Sequence, residues 1–317
     1  MGRKKAESKH SNNLMNALKF VGMCGAEYCS IGSNIVTAFT DNICMGFPIE
    51  EDLNAQAHIK KLYQSLLKSG EIVAITQLEL NKLHVNSGDL QVYIASSEKI
   101  IHIESDKKQI ELDSRFTKSI ENLLPIVSAF GDQISTKTIL CHEQSMFATN
   151  RYILIEYWHG TSLPFLNMSK KFCDLILKTK KEVTFIGFSE NSLTVYFKDE
   201  SWIMGRVSKE QWINPYAILN KECNYKDISS EFLKALQAVP TFSDTGLAYC
   251  INGCLQSHPN AKDGASYPVP DLPEGSIFGV KELNFIYKNA MQIDMSNPNF
   301  LYFIGKNLRG AISSRKI

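Results

Sequence analysis

The sequence has 317 residues, of which 44% are hydrophobic and 21% charged, an ordinary globular composition with length for two or three cores. That balance excludes whole-chain disorder, and a formal charge of +1 excludes a protein that is basic all over. No apolar run approaches the roughly 18–20 residues that cross a membrane as a helix. No apolar segment follows the basic start MGRKKAESKH, so the eight scattered cysteines read as reduced thiols of a cytoplasmic protein.

Taken in chain order, NNLMNALKFVGM predicts a helix with Leu14, Ala17, Leu18 and Val21 on one face. NIVTAF and NICMGFPI then read as strands. A second helix begins at Lys60, with Leu62 and Leu66 on its apolar side, and EIVAITQLEL, KLHVN and LQVYIAS follow as strands. ESDKKQIELD reads as a polar connector. FTKSIENLLPIVSAF is helical, with Ile120, Leu123, Leu124 and Val127 on one face. Pro125 predicts a bend or early end there, because it has no N–H to continue the ladder. TILCHE, SMFATN and RYILIEYW are strand-like. The next helix, NMSKKFCDLILKTKKE, aligns Phe172, Leu175 and Ile176, and EVTFIGF, SLTVYF and SWIMGRV follow as strands. SKEQWINPYAILNKECNYK lacks periodicity and reads as a connector. SSEFLKALQAV aligns Phe232, Ala235, Leu236 and Val239, ahead of the strands GLAYCING and CLQSH. VKELNFIYKNAMQIDM predicts a last helix with Leu283, Ile286 and Tyr287 as its apolar face, followed by the strands NFLYFIG and NLRGAIS.

These elements repeat. The segment from Lys60 to Ile94 matches, without a gap, the segment that starts at Lys170. Leu62 falls on Phe172, Leu66 on Ile176, Lys68 on Lys178, Val73 on Val183, Leu83 on Leu193, Val85 on Val195 and Asp89 on Asp199. A looser third copy starts near Val280. The chain therefore predicts three α+β domains, 1–106, 107–212 and 213–317, each with two helices and two groups of strands.

Lysine outnumbers arginine 28 to 6. At 100° per residue, Lys171, Asp174, Lys178 and Lys181 share a face opposite Phe172, Leu175 and Ile176, with Lys170 at its edge. Lys61, Gln64 and Lys68 hold the same face in the first copy. A solvated face explains such charge on one helix, and duplicated domains inherit solvent faces. A row of helices presenting lysines to one partner explains the shared phase equally well. For that partner, dispersed lysines without an aromatic platform suit duplex phosphate backbone, contacted without sequence preference.

Catalytic signatures are missing from the sequence. There is no GxxxxGK[ST] loop, HExxH or GxSxG. Cys24-x4-Cys29 and Cys250-x3-Cys254 lack a partner pair at zinc-site spacing, and His142 and His159 are lone histidines in strand-like text. Neither an enzyme, a metal nor a cofactor is expected.

The three-domain pattern resembles the sliding clamps of DNA replication, the bacterial DNA polymerase III beta type above all. SMFATNRYILIEYWHG resembles their ATDGHRLA-like segment, with Asn150 where the Asp stands and Arg151-Tyr152-Ile153 in place of Gly-His-Arg. KEQWINPYAIL resembles the connector between their second and third domains. The ending FLYFIGKNLRGAISSRKI resembles a terminal clamp strand but lacks the Met-Pro-Met-Arg-Leu finish, and these departures suggest a viral or remote member.

That resemblance implies a clamp fold of antiparallel sheets with helices packed on them, closed into a ring by a homodimer. It implies a processivity factor without chemistry of its own that encircles duplex DNA and tethers a replicative polymerase. Lys60, Lys61, Lys68, Lys118, Lys170, Lys171, Lys178, Lys234 and Lys281 are then expected to face DNA. A peptide pocket for the polymerase and the clamp loader is expected at Thr149, Asn150, Arg151, Tyr152, Leu154, Ala311 and Ile312. The alternative is a scaffold or interaction protein that keeps the fold without encircling DNA.

Overall fold

The apolar stripes read from the sequence are buried, apart from Leu124 and Tyr287, which stay partly exposed. Leu14, Ala17, Leu18 and Val21 of the Ser11–Val21 helix are all 0% exposed, and Phe172, Leu175 and Ile176 of the Lys170–Thr179 helix are 3% or less. Each leucine, isoleucine, valine or phenylalanine among them contributes about 1.5–3 kcal/mol on leaving water. The same holds for Phe232, Ala235 and Leu236 of Ser230–Ala238 and for Leu283 and Ile286 of Val280–Asn289. The computed structural model describes residues 5–8, 11–51, 53–69, 73–78, 82–97, 101, 103–128, 132–260 and 262–315. They fall into two compact units, Met1–Thr117 with Lys171–Lys209, and Lys118–Lys170 with Glu210–Ile317.

The first unit is built on a 12-stranded antiparallel sheet. Lys5–Ser8 forms one edge and Ile110–Glu111 the other. In the middle, Ile43–Pro48 pairs with Trp202–Arg206 in the register Ile43 to Gly205 and Gly46 to Trp202. Gly46 is required by this approach, since a Cβ there would lie 2.2 Å from the Trp202 ring. The repeat is visible in the strand bounds. Val73–Leu78 and Val183–Phe188 start 110 residues apart (183 − 73), as do Lys82–Ser87 and Ser192–Phe197 (192 − 82).

The second unit holds a six-stranded sheet and a four-stranded one. The six-stranded sheet runs Thr138–Thr149, Ile153–Ser169, Leu308–Ser313, Phe300–Gly305, Ala290–Asp294, Lys226–Asp227. The four-stranded sheet runs Ser266–Pro268, Cys254–Gln256, Leu247–Ile251, Ile277–Gly279.

The structure corrects several sequence expectations. The last helix ends at Asn289, and Ala290–Asp294 is a strand paired with Tyr302–Gly305. A ladder to the next strand overrides the helical spacing there. The Ser114–Leu123 helix stops before Pro125, as expected, and the chain leaves it through tight turns. Tyr28–Gly32, Ala55–His58, Ser266–Pro268 and Ile277–Gly279 are strands too short or too polar to stand out in the sequence. Within SKEQWINPYAILNKECNYK the structure adds one helical turn, Tyr216–Leu219.

Lys181 is also re-read. It lies beyond the helix end, after Lys180 in a left-handed conformation (φ 55°), and not on the lysine face. Its ammonium stands 4.1 Å from the Phe20 ring centroid, 4.5 Å from Phe47 and 5.9 Å from Phe197. It donates to Asp199 Oδ2 at 2.6 Å and to Ser201 Oγ at 2.9 Å. Burial disfavours the charged form of Asp199, but the hydrogen bonds from Lys181 and Ser201 outweigh it and hold the carboxyl below its usual range. The stability from this lowered pKa is present above the unfolded-state value near 3.8 and is lost as pH falls through the folded-state value. Lys181→Met should cost about 1–2 kcal/mol at neutral pH. Urea unfolding at pH 7 and pH 3 should show the deficit shrinking at the lower pH; an unchanged deficit would mean that Asp199 takes no part.

Candidate functional site

The candidate cleft starts from a three-residue hairpin tip. Thr138–Thr149 and Ile153–Ser169 are joined by Asn150, Arg151 and Tyr152. Asn150 Oδ1 accepts from the N–H groups of Tyr152 and Ile153, both at 3.0 Å, closing an Asx turn. Thr149 Oγ1 donates to Ile153 O at 2.7 Å and accepts from the Arg151 N–H at 3.2 Å. These bonds hold Arg151 at φ 82°, where a non-glycine residue needs such support. The Arg151 guanidinium reaches Asp132 at 3.3 Å in solvent.

The sheet supplies the floor. Ile153 to Tyr157 pair with Ile312 to Leu308, which sets Leu154 opposite Ala311. Leu140, Phe147, Leu154, Trp212, Leu219, Tyr302 and Ala311 form one buried apolar cluster. The connector is pinned into it by two rings. Trp212 Nε1 donates to Thr138 Oγ1 at 3.2 Å, and Tyr216 meets Phe147 edge-on at 5.4 Å. At the end of the connector's helical turn, Arg309 donates to Leu219 O and to Asn220 Oδ1 at 2.9 Å. Arg309 in turn pairs at 2.5 Å with Glu156, which is 2% exposed and also accepts from Ser145 Oγ. A buried carboxylate with two strong donors fixes the turn against the sheet.

Between these walls lies a cleft of about 200 Å³. Thr149, Arg151, Tyr152, Leu154 and Ala311 line it, as the sequence placed them. Asn150 and Ile312 do not. Ile312 is buried in the sheet between Ile153 and Leu301, and Asn150 turns away to donate to Glu282 Oε1 at 2.8 Å. That bond explains the Asn where an Asp was expected, since an aspartate would set two carboxylates against each other. The sequence reading missed Gln133, Ser135, Thr136, Ile153, Ile213, Ile218, Phe300 and Ser313. Ile213 and Ile218 belong to the segment read as a connector, not to the expected site; nothing in the sequence marked the others.

The lysines fare differently. Lys60, Lys61, Lys68, Lys118, Lys171, Lys178, Lys234 and Lys281 are exposed. Lys170 is half-buried and its ammonium donates to Val127 O at 2.5 Å, so it serves the fold. Two of the exposed lysines are partly neutralised, Lys178 by Asp174 at 2.6 Å and Lys118 by Glu121 at 2.7 Å. Such exposed pairs contribute a few tenths of a kcal/mol and open readily to another anion. Among the described residues no group of three or more His, Cys, Asp or Glu side chains is placed to hold a metal. No helix among them is long and apolar enough to cross a membrane.

No protein-family model matches the sequence, and no curated protein sequence matches it either. Solved structures do. The DNA polymerase III subunit beta of Pseudomonas aeruginosa superposes with a TM-score of 0.74 at 12% identity, over 100% of both chains. The chain has the fold of a bacterial sliding clamp. The beta sliding clamp of C. crescentus matches with a TM-score of 0.77 and 13% identity, and the Helicobacter pylori beta clamp, solved bound to a DNA ligase peptide, with 0.73 and 10%, each over 100% of both chains. The clamp fold is thus reached at 10–13% sequence identity to these structures.

Asn150 carries three bonds at the tip of this clamp-fold hairpin, so Asn150→Ala should lower the unfolding free energy by about 1–3 kcal/mol. Asn150→Asp keeps the turn acceptor but faces Glu282, and should be no more stable than the alanine variant at pH 7. Urea titrations compare the two; an aspartate variant as stable as wild type would refute this role of the amide.

Proposed function

We propose that this protein is a DNA sliding clamp. It encircles duplex DNA as a homodimeric ring and tethers a replicative DNA polymerase as a non-catalytic processivity factor. Its three domains are 1–106, 107–212 and 213–317. Polymerase and loader peptides bind the cleft at Thr149, Arg151, Tyr152, Leu154 and Ala311. Lys60, Lys61, Lys68, Lys118, Lys171, Lys178, Lys234 and Lys281 meet the phosphate backbone, and the thiols belong to a cytoplasmic protein. The fold likeness over the whole chain supports this reading.

The observation that carries ring closure is a strand joint that recurs in phase. Ile43–Pro48 pairs with Trp202–Arg206, and the Ile153 end of the next long strand pairs with Leu308–Ser313. The starts Ile43 and Ile153 are 110 residues apart (153 − 43), and the corresponding strand of the last repeat is Ser266–Pro268. It lies at a sheet edge. Leu90–Ser97 is the first-repeat counterpart of Trp202–Arg206 and Leu308–Ser313. It meets Ala55–His58 only through Ser96 and Ser97, so Leu90 to Ala95 have no strand on that side among the described residues. Two such edges at one repeat phase suit each other across two copies. Light scattering after gel filtration should give twice 35.7 kDa. Tyr93→Pro, which removes a donor from that edge because the N–H groups of Gln91, Tyr93 and Ala95 point away from the Lys82–Ser87 strand, should give monomers that keep the fold by circular dichroism. A monomeric wild type would remove the ring.

Contacts that slide must be weak and indifferent to sequence, which exposed lysines supply. Lys61→Glu, Lys171→Glu and Lys178→Glu together should abolish retention on primed circular DNA at 100 mM salt. Each single change should lower the slope of log affinity against log salt by about 1. The low net charge and the Asp174 and Glu121 pairings favour the second reading, a clamp-fold scaffold off DNA. Retention unaffected by the triple change would establish that reading instead.

A further inference from the structure

One rim of the cleft is built on a buried charge. Glu282, in the first turn of the Val280–Asn289 helix, is 4% exposed. A carboxylate taken out of water needs donors in compensation. Asn150 Nδ2 donates to its Oε1 at 2.8 Å, and Arg315 Nη2 to its Oε2 at 3.2 Å. Gly279 leaves room for this, since a Cβ there would sit 1.8 Å from Glu282 Oε2 and 2.4 Å from Arg315 Nη2. Arg315 is tied down along its backbone too. Its N–H donates to Ile277 O at 2.7 Å, while the Ile277 N–H donates to Ser314 Oγ at 3.1 Å.

Held in this way, the guanidinium lies over the Tyr152 ring, 3.9 Å from its centroid. Tyr152 lines the cleft and is 41% exposed. Its backbone is fixed by Asn150 Oδ1 and by the Ser313 N–H. Neither bond fixes the ring, which projects from a turn. A planar cation stacked on one face does so, and a lysine could not reproduce both the stack and the directed bond to Glu282.

We infer that Arg315 is a positioning residue for partner binding: anchored on Glu282, it holds the Tyr152 ring as a fixed wall of the cleft. The inference rests on the reading of that cleft as a peptide pocket. A wall ordered before binding spares the partner the entropy of ordering it.

The test uses the full chain and the labelled DNA ligase peptide of the H. pylori complex, followed by fluorescence anisotropy. Arg315→Ala should weaken binding about tenfold, in the range of a desolvated cation–π contact. Tyr152→Ala should weaken it similarly, and the double variant no further, because the two act as one unit. An equal additional loss in the Tyr152→Ala background would make Arg315 merely structural and overturn the inference. Arg315→Ala leaves Glu282 short of a donor and could unfold, so Glu282→Gln with Arg315→Met removes both charges together. This pair should fold and show the same tenfold loss; full affinity overturns the inference. Without peptide, the ring resonances of Tyr152 in ¹³C-tyrosine protein, assigned with Tyr152→Phe, should move in both Arg315 variants. A wild type that does not bind the peptide refutes the pocket reading, and the resonances then decide the positioning alone: moved, they support it, and unmoved, they overturn it.

Discussion

The backbone ladder between Ile153–Tyr157 and Leu308–Ile312 is the constraint on which the candidate site depends. It brings residues more than 150 positions apart into one sheet, and everything at the cleft is hung from it. Leu154 meets Ala311 across it, and Glu156 meets Arg309. The hairpin tip at Asn150 to Tyr152 rises from one end, beside Ser313. Main-chain hydrogen bonds form irrespective of side-chain identity, and the alternation of buried and exposed residues sets the register, so a ladder of this kind tolerates wide sequence change as long as that alternation survives. That tolerance is consistent with a clamp fold retained at 9–13% identity to solved clamps.

Charge is used in two ways that composition alone does not separate. Lys181, Arg309 and Arg315 are partly or largely enclosed, each with a carboxylate and an aromatic ring. They act as fasteners, and their energy comes from directed bonds in places where water competes poorly. The lysines on the outer faces of the helices are different. They are exposed, and in two instances paired with a neighbouring acid that another anion can replace. Lys170 sits one residue from Lys171 and belongs to the first class, because its ammonium satisfies the Val127 carbonyl.

The long helices and the strands with strong alternation were legible in the sequence, because burial alone sets their pattern. Leu14 to Val21 and Phe172 to Ile176 show this clearly. The hairpin tip was legible through its likeness to a known motif, and that likeness located Thr149, Tyr152 and Leu154 at the cleft. What stayed hidden depended on strand pairing and tertiary placement. Ala290–Asp294 has helical spacing and becomes a strand because Phe300–Gly305 is waiting for it. Gln133, Thr136 and Phe300 reach the cleft by tertiary placement, with no local signal. Lys181 looked like the continuation of a charged stripe, and only the position of three phenylalanine rings reveals its role.

The strand Ser266–Pro268 is three residues long, whereas Ile43–Pro48 and Ile153–Ser169 are longer. In the proposed ring, the seam between copies would hold fewer main-chain bonds than the joints within a copy. Strain applied to such a ring concentrates at its weakest ladder. If two copies close as proposed, that short ladder is where the circle would part first.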